Sequence, residues 1–281
     1  MQTVYTSAAL CRHPETFNAI ADALAKLDIP HHSLAGTDNI WCRDFMPVPT
    51  AVGLVKFGYT NYGYRKLKHL RVPDSCWNFM DTTASPINLD GGNVEEGEEK
   101  VLICDMVFRK NPDMTRIKVV NQLENTFQKE IVFLPCEPDD TLGHADGTAR
   151  FCSKNVVLVN DYSCRKSKAL TSFQTKLEKT LSRNGLEAVR MPYAYDQCPH
   201  LSRREFKRKY PYGDDQNEAT GYYCNFLVLP KVVLVPQFGL DYDTEALTFA
   251  EMFFPNRRIV GIPCFDVSQL GGCVSCVTWV N

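Results

Sequence analysis

The chain has 281 residues, of which 44% are apolar and 23% charged, and its formal charge is −2. That is the composition of an ordinary folded domain, and it supplies no basic field for nucleic acid or an anionic membrane. No apolar run approaches the roughly 18 residues of a membrane span, and Met1 to Glu15 lacks the basic and then apolar pattern of a secretory leader. Twelve cysteines are spread along the chain. Cys104, Cys152 and Cys224 fall inside apolar strand patterns, where a free thiol behaves as a small hydrophobe. Reduced thiols and a cytoplasmic location are therefore expected.

Val4-Tyr5 opens a short strand. His13 to Leu27 carries helical periodicity, with Ile20, Leu24 and Leu27 on one face, and Pro30 stops it. Asn39 to Val48 reads as a strand, followed by a second from Ala51 to Gly58. Tyr62 to Phe79 is partly helical and Pro86 to Leu89 strand-like. Asp90-Gly91-Gly92-Asn93 leads into the strand Val101 to Cys104. Pro112 to Gln128 is a predicted helix, with Pro112 suited to its first turn, and Ile131 to Leu134 a strand. His144 to Phe151 pairs with Asn155 to Asn160. A helix from Lys166 to Arg183 is ended by Asn184-Gly185, and Leu186 to Met191 is the next strand. Tyr222 to Leu229 and Lys231 to Val235 form a hairpin. The helix Asp243 to Phe254, the strand Arg257 to Ile262 and a last strand, Val274 to Val280, complete the order.

The order is β-β-α-β, four times over. A fifth copy forms if the last strand joins the N-terminal strand, helix and strand. Self-similarity with a period of about 50 residues points to a radial array, against a generic α/β domain as the plainer reading. One domain over residues 1–281 is expected. A polar insertion at about 193–221 is a candidate lid, because long loops in compact domains tend to be functional or disordered. Its basic run, Arg203, Arg204, Lys207, Arg208 and Lys209, reads as a solvated helix face.

Asp44, the Gly91-Gly92-Asn93 turn, the His144/Asp146 pair, Asn225 and Cys276 all lie near the opening of the first strand of their copies. Equivalent positions in a ring lie equally far from its axis, so these groups would meet at one end of a central channel. Two aspartates in one pocket repel each other unless a cation lies between them. A guanidinium fits, because it is planar, stays protonated and offers forked donors to carboxylates. Its central carbon would then face Cys276, whose thiolate a nearby imidazolium or a cationic substrate would favour. Plainer readings stand beside this one. His144 and Asp146 could be a satisfied core pair, Trp41 could be core, and Asp44 could pair with Arg43. Cys273-Val274-Ser275-Cys276 could be half a zinc site or a redox pair. No second C-x-x-C supplies the other two zinc ligands, and a redox pair should open a helix, whereas this one is read in a strand.

Five segments carry a resemblance. Trp41-Cys42-Arg43-Asp44 resembles a W-x-R-D motif, and Gly143-His144-Ala145-Asp146 a G-H-x-D. Tyr223-Cys224-Asn225-Phe226 with Val235-Pro236-Gln237-Phe238-Gly239 is similar to Y-x-N-F and A-P-Q-F-G. Gly271-Gly272 to Cys276-Val277-Thr278 resembles G-G-x-x-H-C-x-T. In this order they are the motifs of the bacterial peptidylarginine deiminase and agmatine deiminase group of guanidine-modifying enzymes. The resemblance implies a five-bladed α/β propeller and hydrolytic deimination through a thiouronium intermediate, with no metal and no cofactor. It implies Cys276 as nucleophile, His144 as acid and base, and Asp44 and Asp146 as guanidinium ligands. Trp41 would line the slot, with Asn93 and Asn225 supporting it or meeting the substrate tail. The implied partner is a small guanidine, with no nucleic acid or membrane, and homo-oligomerisation is left open. An amidinotransferase and a non-catalytic guanidine-binding protein are the alternatives. The chain departs from the group at Ser275, where histidine is usual, at Cys273, where agmatine deiminases commonly carry asparagine, and at Asp90, where they tend to carry glutamate.

Overall fold

The computed structural model describes residues 2–59, 72, 74–138, 140–197, 201–210 and 218–281. In chain order the elements begin with β1 (Val4–Ser7), α1 (Pro14–Ala25), β2 (His31–Leu34), α2 (Cys42–Phe45), β3 (Val48–Thr50), β4 (Gly53–Gly58) and β5 (Thr83–Asn88). Next come β6 (Glu95–Glu96), β7 (Lys100–Cys104), α3 (Met106–Lys110), α4 (Arg116–Phe127) and β8 (Glu130–Leu134). They are followed by β9 (Ala149–Phe151), β10 (Val156–Asn160), α5 (Lys168–Arg183), β11 (Glu187–Met191) and α6 (Arg203–Lys209). The chain then forms β12 (Leu227–Val228), β13 (Val232–Gln237), α7 (Tyr242–Phe253), β14 (Arg258–Pro263), α8 (Phe265–Ser268) and β15 (Trp279–Val280).

These strands form five three-stranded sheets among the described residues. In each, the first strand runs antiparallel to the second and the second parallel to the third. A parallel pair needs a crossover connection, which is why helical segments fall between second and third strands. The fifth copy forms as expected from the strand order: Val4 faces Val280 and Tyr5 faces Trp279, joining the two ends of the chain. Helices also bridge copies, since α1 packs on β14 and α5 on β8.

The helix α5 shows how sequence becomes core. Ser167 caps it by accepting the Leu170 N–H, and Gly185, at φ +71°, lets the chain turn away. Leu170, Phe173, Leu177 and Leu181 share one buried face. Leu177→Ala is expected to cost about 2–5 kcal/mol of stability through transfer loss and cavity formation. Urea unfolding should show this as a lower midpoint at constant slope.

Two segments depart from expectation. Asn39 to Val48 is not one strand. The Asn39 side-chain oxygen accepts the Trp41 N–H at 2.9 Å, Cys42 to Phe45 wind into α2, and Met46 returns to extended backbone ahead of Pro47. Val274 to Val280 is not one strand either. Only Trp279 and Val280 pair with a neighbour, and Val274 to Cys276 form a turn closed by the Thr278 hydroxyl on the Val274 carbonyl at 2.8 Å. Residues 273–279 are all buried, so their apolar character carries no periodicity that could separate strand from turn.

Smaller corrections follow the same line. The strand expected from Tyr222 begins only at Leu227. Part of the helix expected over Tyr62 to Phe79 lies outside the described residues, and Asp74–Cys76 is a 3-10 turn. In the insertion, α6 starts with a Ser202/Glu205 capping box and buries Phe206, with Tyr210 just beyond it also buried, while Arg204, Lys207, Arg208 and Lys209 face solvent. Eleven cysteines in the described residues are free thiols. No helix of the described residues is long and apolar enough to cross a membrane.

Candidate active site

The site assembles from the turns that precede the first strand of each sheet. Asp44 lies just ahead of β3, Gly91-Gly92-Asn93 ahead of β6, His144 and Asp146 ahead of β9, Asn225 ahead of β12 and Cys276 ahead of β15.

Cys276 is held by its neighbours' backbone and one amide. The Asn225 side-chain oxygen accepts the Cys273 N–H at 3.2 Å and the Cys276 N–H at 3.4 Å, and lies 3.4 Å from the Cys276 Sγ. The Cys276 carbonyl accepts the Arg43 N–H at 3.1 Å, tying this turn to α2. Gly272 is required by crowding: a Cβ there would lie 3.0 Å from the Cys276 Sγ and against the Trp41 ring. Trp41 therefore packs over the turn and is itself buried. Burial pushes the Cys276 thiol well above its usual range, and the Asp146 and Asp44 carboxylates add to this.

His144 is set between two carboxylates. Its Nε2 is 3.1 Å from Asp90 Oδ2 and its Nδ1 is 3.6 Å from Asp44 Oδ1. The Asp140 carboxylate orients the loop by accepting the Leu142 and His144 N–H groups at 2.7 and 2.8 Å. Asp44 also accepts the Gly92 N–H at 3.1 Å. A side chain at Gly92 would strike both Asp44 and His144, and one at Gly91 the Arg43 carbonyl. Arg43 spends its guanidinium on the Gly91 and Val94 carbonyls, at 3.2 and 2.7 Å, so it is not the partner of Asp44. Burial works against charge on His144, but Asp44 and Asp90 outweigh it and lift the imidazole to about 9. Burial lifts the Asp44 carboxyl to about 7, with Asp90 and Asp146 adding and His144 opposing.

Asp146 faces Cys276. Its Oδ2 lies 3.8 Å from the Cys276 Sγ and accepts the Ser275 hydroxyl at 2.8 Å. Its Oδ1 is buried and has no hydrogen-bond donor among the described residues. Behind Ser275 stands Arg150, at 3.4 Å, neutralised by Glu95 at 2.8 Å. Arginine can only donate, so this contact leaves the serine hydrogen for Asp146. His144, Asp146, Asn225, Gly272 and Cys276 line one cavity of about 360 Å³.

Of the sequence-based candidates, Asn93 stands apart. Its amide is consumed by the Cys104 backbone, accepting the N–H at 2.6 Å and donating to the carbonyl at 3.2 Å, and it is fully buried. It fixes the Gly-Gly turn to β7, the supporting one of the two roles expected for it, and like Trp41 and Asp44 it does not line the cavity. The C-x-x-C pair forms a turn and opens no helix. Asp90, Lys110, Arg150 and Glu95 were missed. Asp90 had a signal, because it precedes the Gly-Gly turn where the resembled group tends to carry glutamate. The other three had none, because their partners lie on different elements.

Comparison with known proteins bears on the family and the fold. Residues 4–280 match the Porphyromonas-type peptidyl-arginine deiminase family. The chain belongs to that family. An agmatine deiminase of Pseudomonas fluorescens is 25% identical to it, covering 92% of this chain and 78% of its own length. A candidate agmatine deiminase of Lactococcus lactis is 27% identical over 68% of this chain. The chain spans little more than half of that relative, 56% of its length. The solved agmatine deiminase of Enterococcus faecalis shares the fold at a TM-score of 0.75 and 19% identity, over 99% of this chain and 92% of its own. A DDAH of Pseudomonas aeruginosa, solved with citrulline, aligns at 0.58 and 12% identity, over 100% and 98% of the two chains. This family member is thus a mixed α/β protein.

Proposed function

We propose that the chain hydrolyses a small guanidine to a ureido product and ammonia, with Cys276 as nucleophile. One observation supports this most. Cys276, Asp146 and His144 meet at one cavity, and a buried carboxylate oxygen of Asp146 has no donor there among the described residues. An unpaired buried carboxylate oxygen is costly, and a guanidinium N–H would satisfy it. Asp44 and Asp146 hold the guanidinium nitrogens, Trp41 closes the slot, and Asn225 keeps the Cys276 turn in place.

The bound cation is also what ionises the thiol. Cys276 lies beside two carboxylates that disfavour its thiolate. A guanidinium seated between those carboxylates reverses the local field, and the thiol gives its proton to solvent, which returns it once product has left. The thiolate then attacks the central carbon, forming a C–S bond and a neutral tetrahedral adduct. His144 gives its proton to a departing nitrogen, the C–N bond breaks, and ammonia leaves a cationic thiouronium. The now neutral His144 takes a proton from water, and the hydroxide adds to the same carbon. Collapse breaks the C–S bond, returns the thiolate and releases the ureido product, with one proton passing to solvent.

The five sheets are read as blades of a five-bladed propeller closed by the β15–β1 pairing, and residues 1–281 as one domain. The insertion at about 193–221 acts as a lid, supported by Leu201, Glu218 and Ala219 at the cavity wall. A cytoplasmic setting is favoured by the free thiols. Agmatine stands first among candidate substrates because the relatives' names carry it, and the cavity lining also includes Glu137, Asp140, Glu218 and Arg165. Ammonia release from agmatine, free arginine and peptidylarginine tests the proposal and ranks the tails. No ammonia from any guanidine, and no adduct on Cys276 with a haloacetamidine, would sink it.

A further inference from the structure

Lys110 ends α3 with its side chain only 4% exposed. A buried ammonium loses its hydration, which is costly unless it is paired. Its partner is Asp90, equally buried, and the contact goes to Oδ2. That same oxygen lies 3.1 Å from His144 Nε2, while Asp90 Oδ1 is buried with no donor among the described residues. Two cationic donors thus share one carboxylate oxygen, and the ion pair ties α3 to the turn before β6, against which His144 rests.

We propose that Lys110 is a positioning residue for the proposed hydrolysis, whose ammonium fixes the Asp90 carboxylate and limits how strongly that carboxylate holds the proton on His144. The inference rests on the reading of His144 as the group that protonates departing ammonia. The charges facing His144 are Asp44 from α2, Asp90 from the turn before β6, Lys110 from α3, and Asp146 and the Cys276 thiol across the cavity. Asp140 is engaged with its backbone N–H.

Three carboxylates against an imidazolium and an ammonium leave one negative charge, which a guanidinium neutralises. Without Lys110 three carboxylates would surround the imidazolium alone, a net of two negative charges. The cation of Lys110 draws the His144 proton equilibrium down, opposing Asp44 and Asp90. Removing it leaves a site that binds the guanidinium at least as well and gives up its proton less readily. A residue that only filled space would not separate those two effects.

Lys110→Met keeps the length of the side chain and removes its charge. It is expected to lower kcat roughly tenfold, leave KM equal or lower, and move the basic limb of the rate profile up by about one pH unit. The His144 imidazole, titrated by NMR and assigned with His144→Gln, should move up in step. Lys110→Arg retains the cation, so its limb and imidazole titration should stay at the wild-type position. An unmoved limb and imidazole in folded Lys110→Met would overturn the proposal and leave Lys110 as a packing element. If Lys110→Met does not fold, Lys110→Arg decides: an unmoved titration supports the proposal and a displaced one overturns it. The imidazole titration needs no turnover. A protein that deiminates nothing would therefore refute the proposed function without deciding the question of Lys110.

Discussion

Cys276→Ser is expected to abolish ammonia release, lowering kcat by roughly four to six orders of magnitude, as loss of a covalent nucleophile does elsewhere. A serine hydroxyl fits the same turn, keeps the Asn225 contact and gives up little volume. Its oxygen stays protonated even beside a bound guanidinium, so the C–S adduct has no counterpart. Binding should survive if, as proposed, Asp44 and Asp146 rather than the sulfur hold the guanidinium. The variant should therefore still be stabilised by substrate in a thermal melt, by an amount that grows with ligand concentration. Stopped turnover with retained binding is the expected pair of results. Near-normal turnover would show that Cys276 makes no bond to substrate.

His144 carries the second large effect. His144→Gln should lower kcat by roughly 10²–10⁴-fold, the usual worth of general acid–base help. The wild-type profile of kcat/KM should be bell-shaped. On the basic side, His144 must be protonated to serve the leaving nitrogen, so activity is present below about 9 and is lost as pH rises through that value. On the acidic side, Asp44 must be ionised to receive the guanidinium, so activity is lost as pH falls through about 7 in the free enzyme. Bound substrate favours the Asp44 carboxylate, so the acidic limb of kcat should lie lower than that of kcat/KM. The basic limb discriminates between mechanisms. If the thiol ionised on its own, its upward shift would make the rate climb through pH 9 and beyond. A falling rate there means that the guanidinium, not hydroxide, brings out the thiolate.

The serine at position 275 bears on the geometry of Asp146. Its hydroxyl, backed by Arg150, is spent on Asp146 Oδ2. The resembled group carries an imidazole at this place, so the surroundings of Asp146 are built differently here while the carboxylate itself is kept.

The sequence by itself determined the repeat. Helical and strand periodicities placed most of the sheet strands and crossover helices, and the shared phase of Asp44, His144, Asp146, Asn225 and Cys276 put them all near the opening of a first strand. That much is local: an amphipathic face, a glycine stop and a motif order can be read without knowing what touches what. The tertiary structure alone decided the rest. Residues 273–279 are buried on every side, so only the Asn225 amide and the Thr278 hydroxyl show that Cys276 sits in a turn and not along a strand. Only the fold shows that the Asn93 amide is spent on the Cys104 backbone, in the supporting one of its two expected roles. Asp90 and Lys110, twenty residues apart, form a buried ion pair beneath His144. A buried charge is settled by whichever opposite charge the fold brings to it, and sequence spacing does not carry that information.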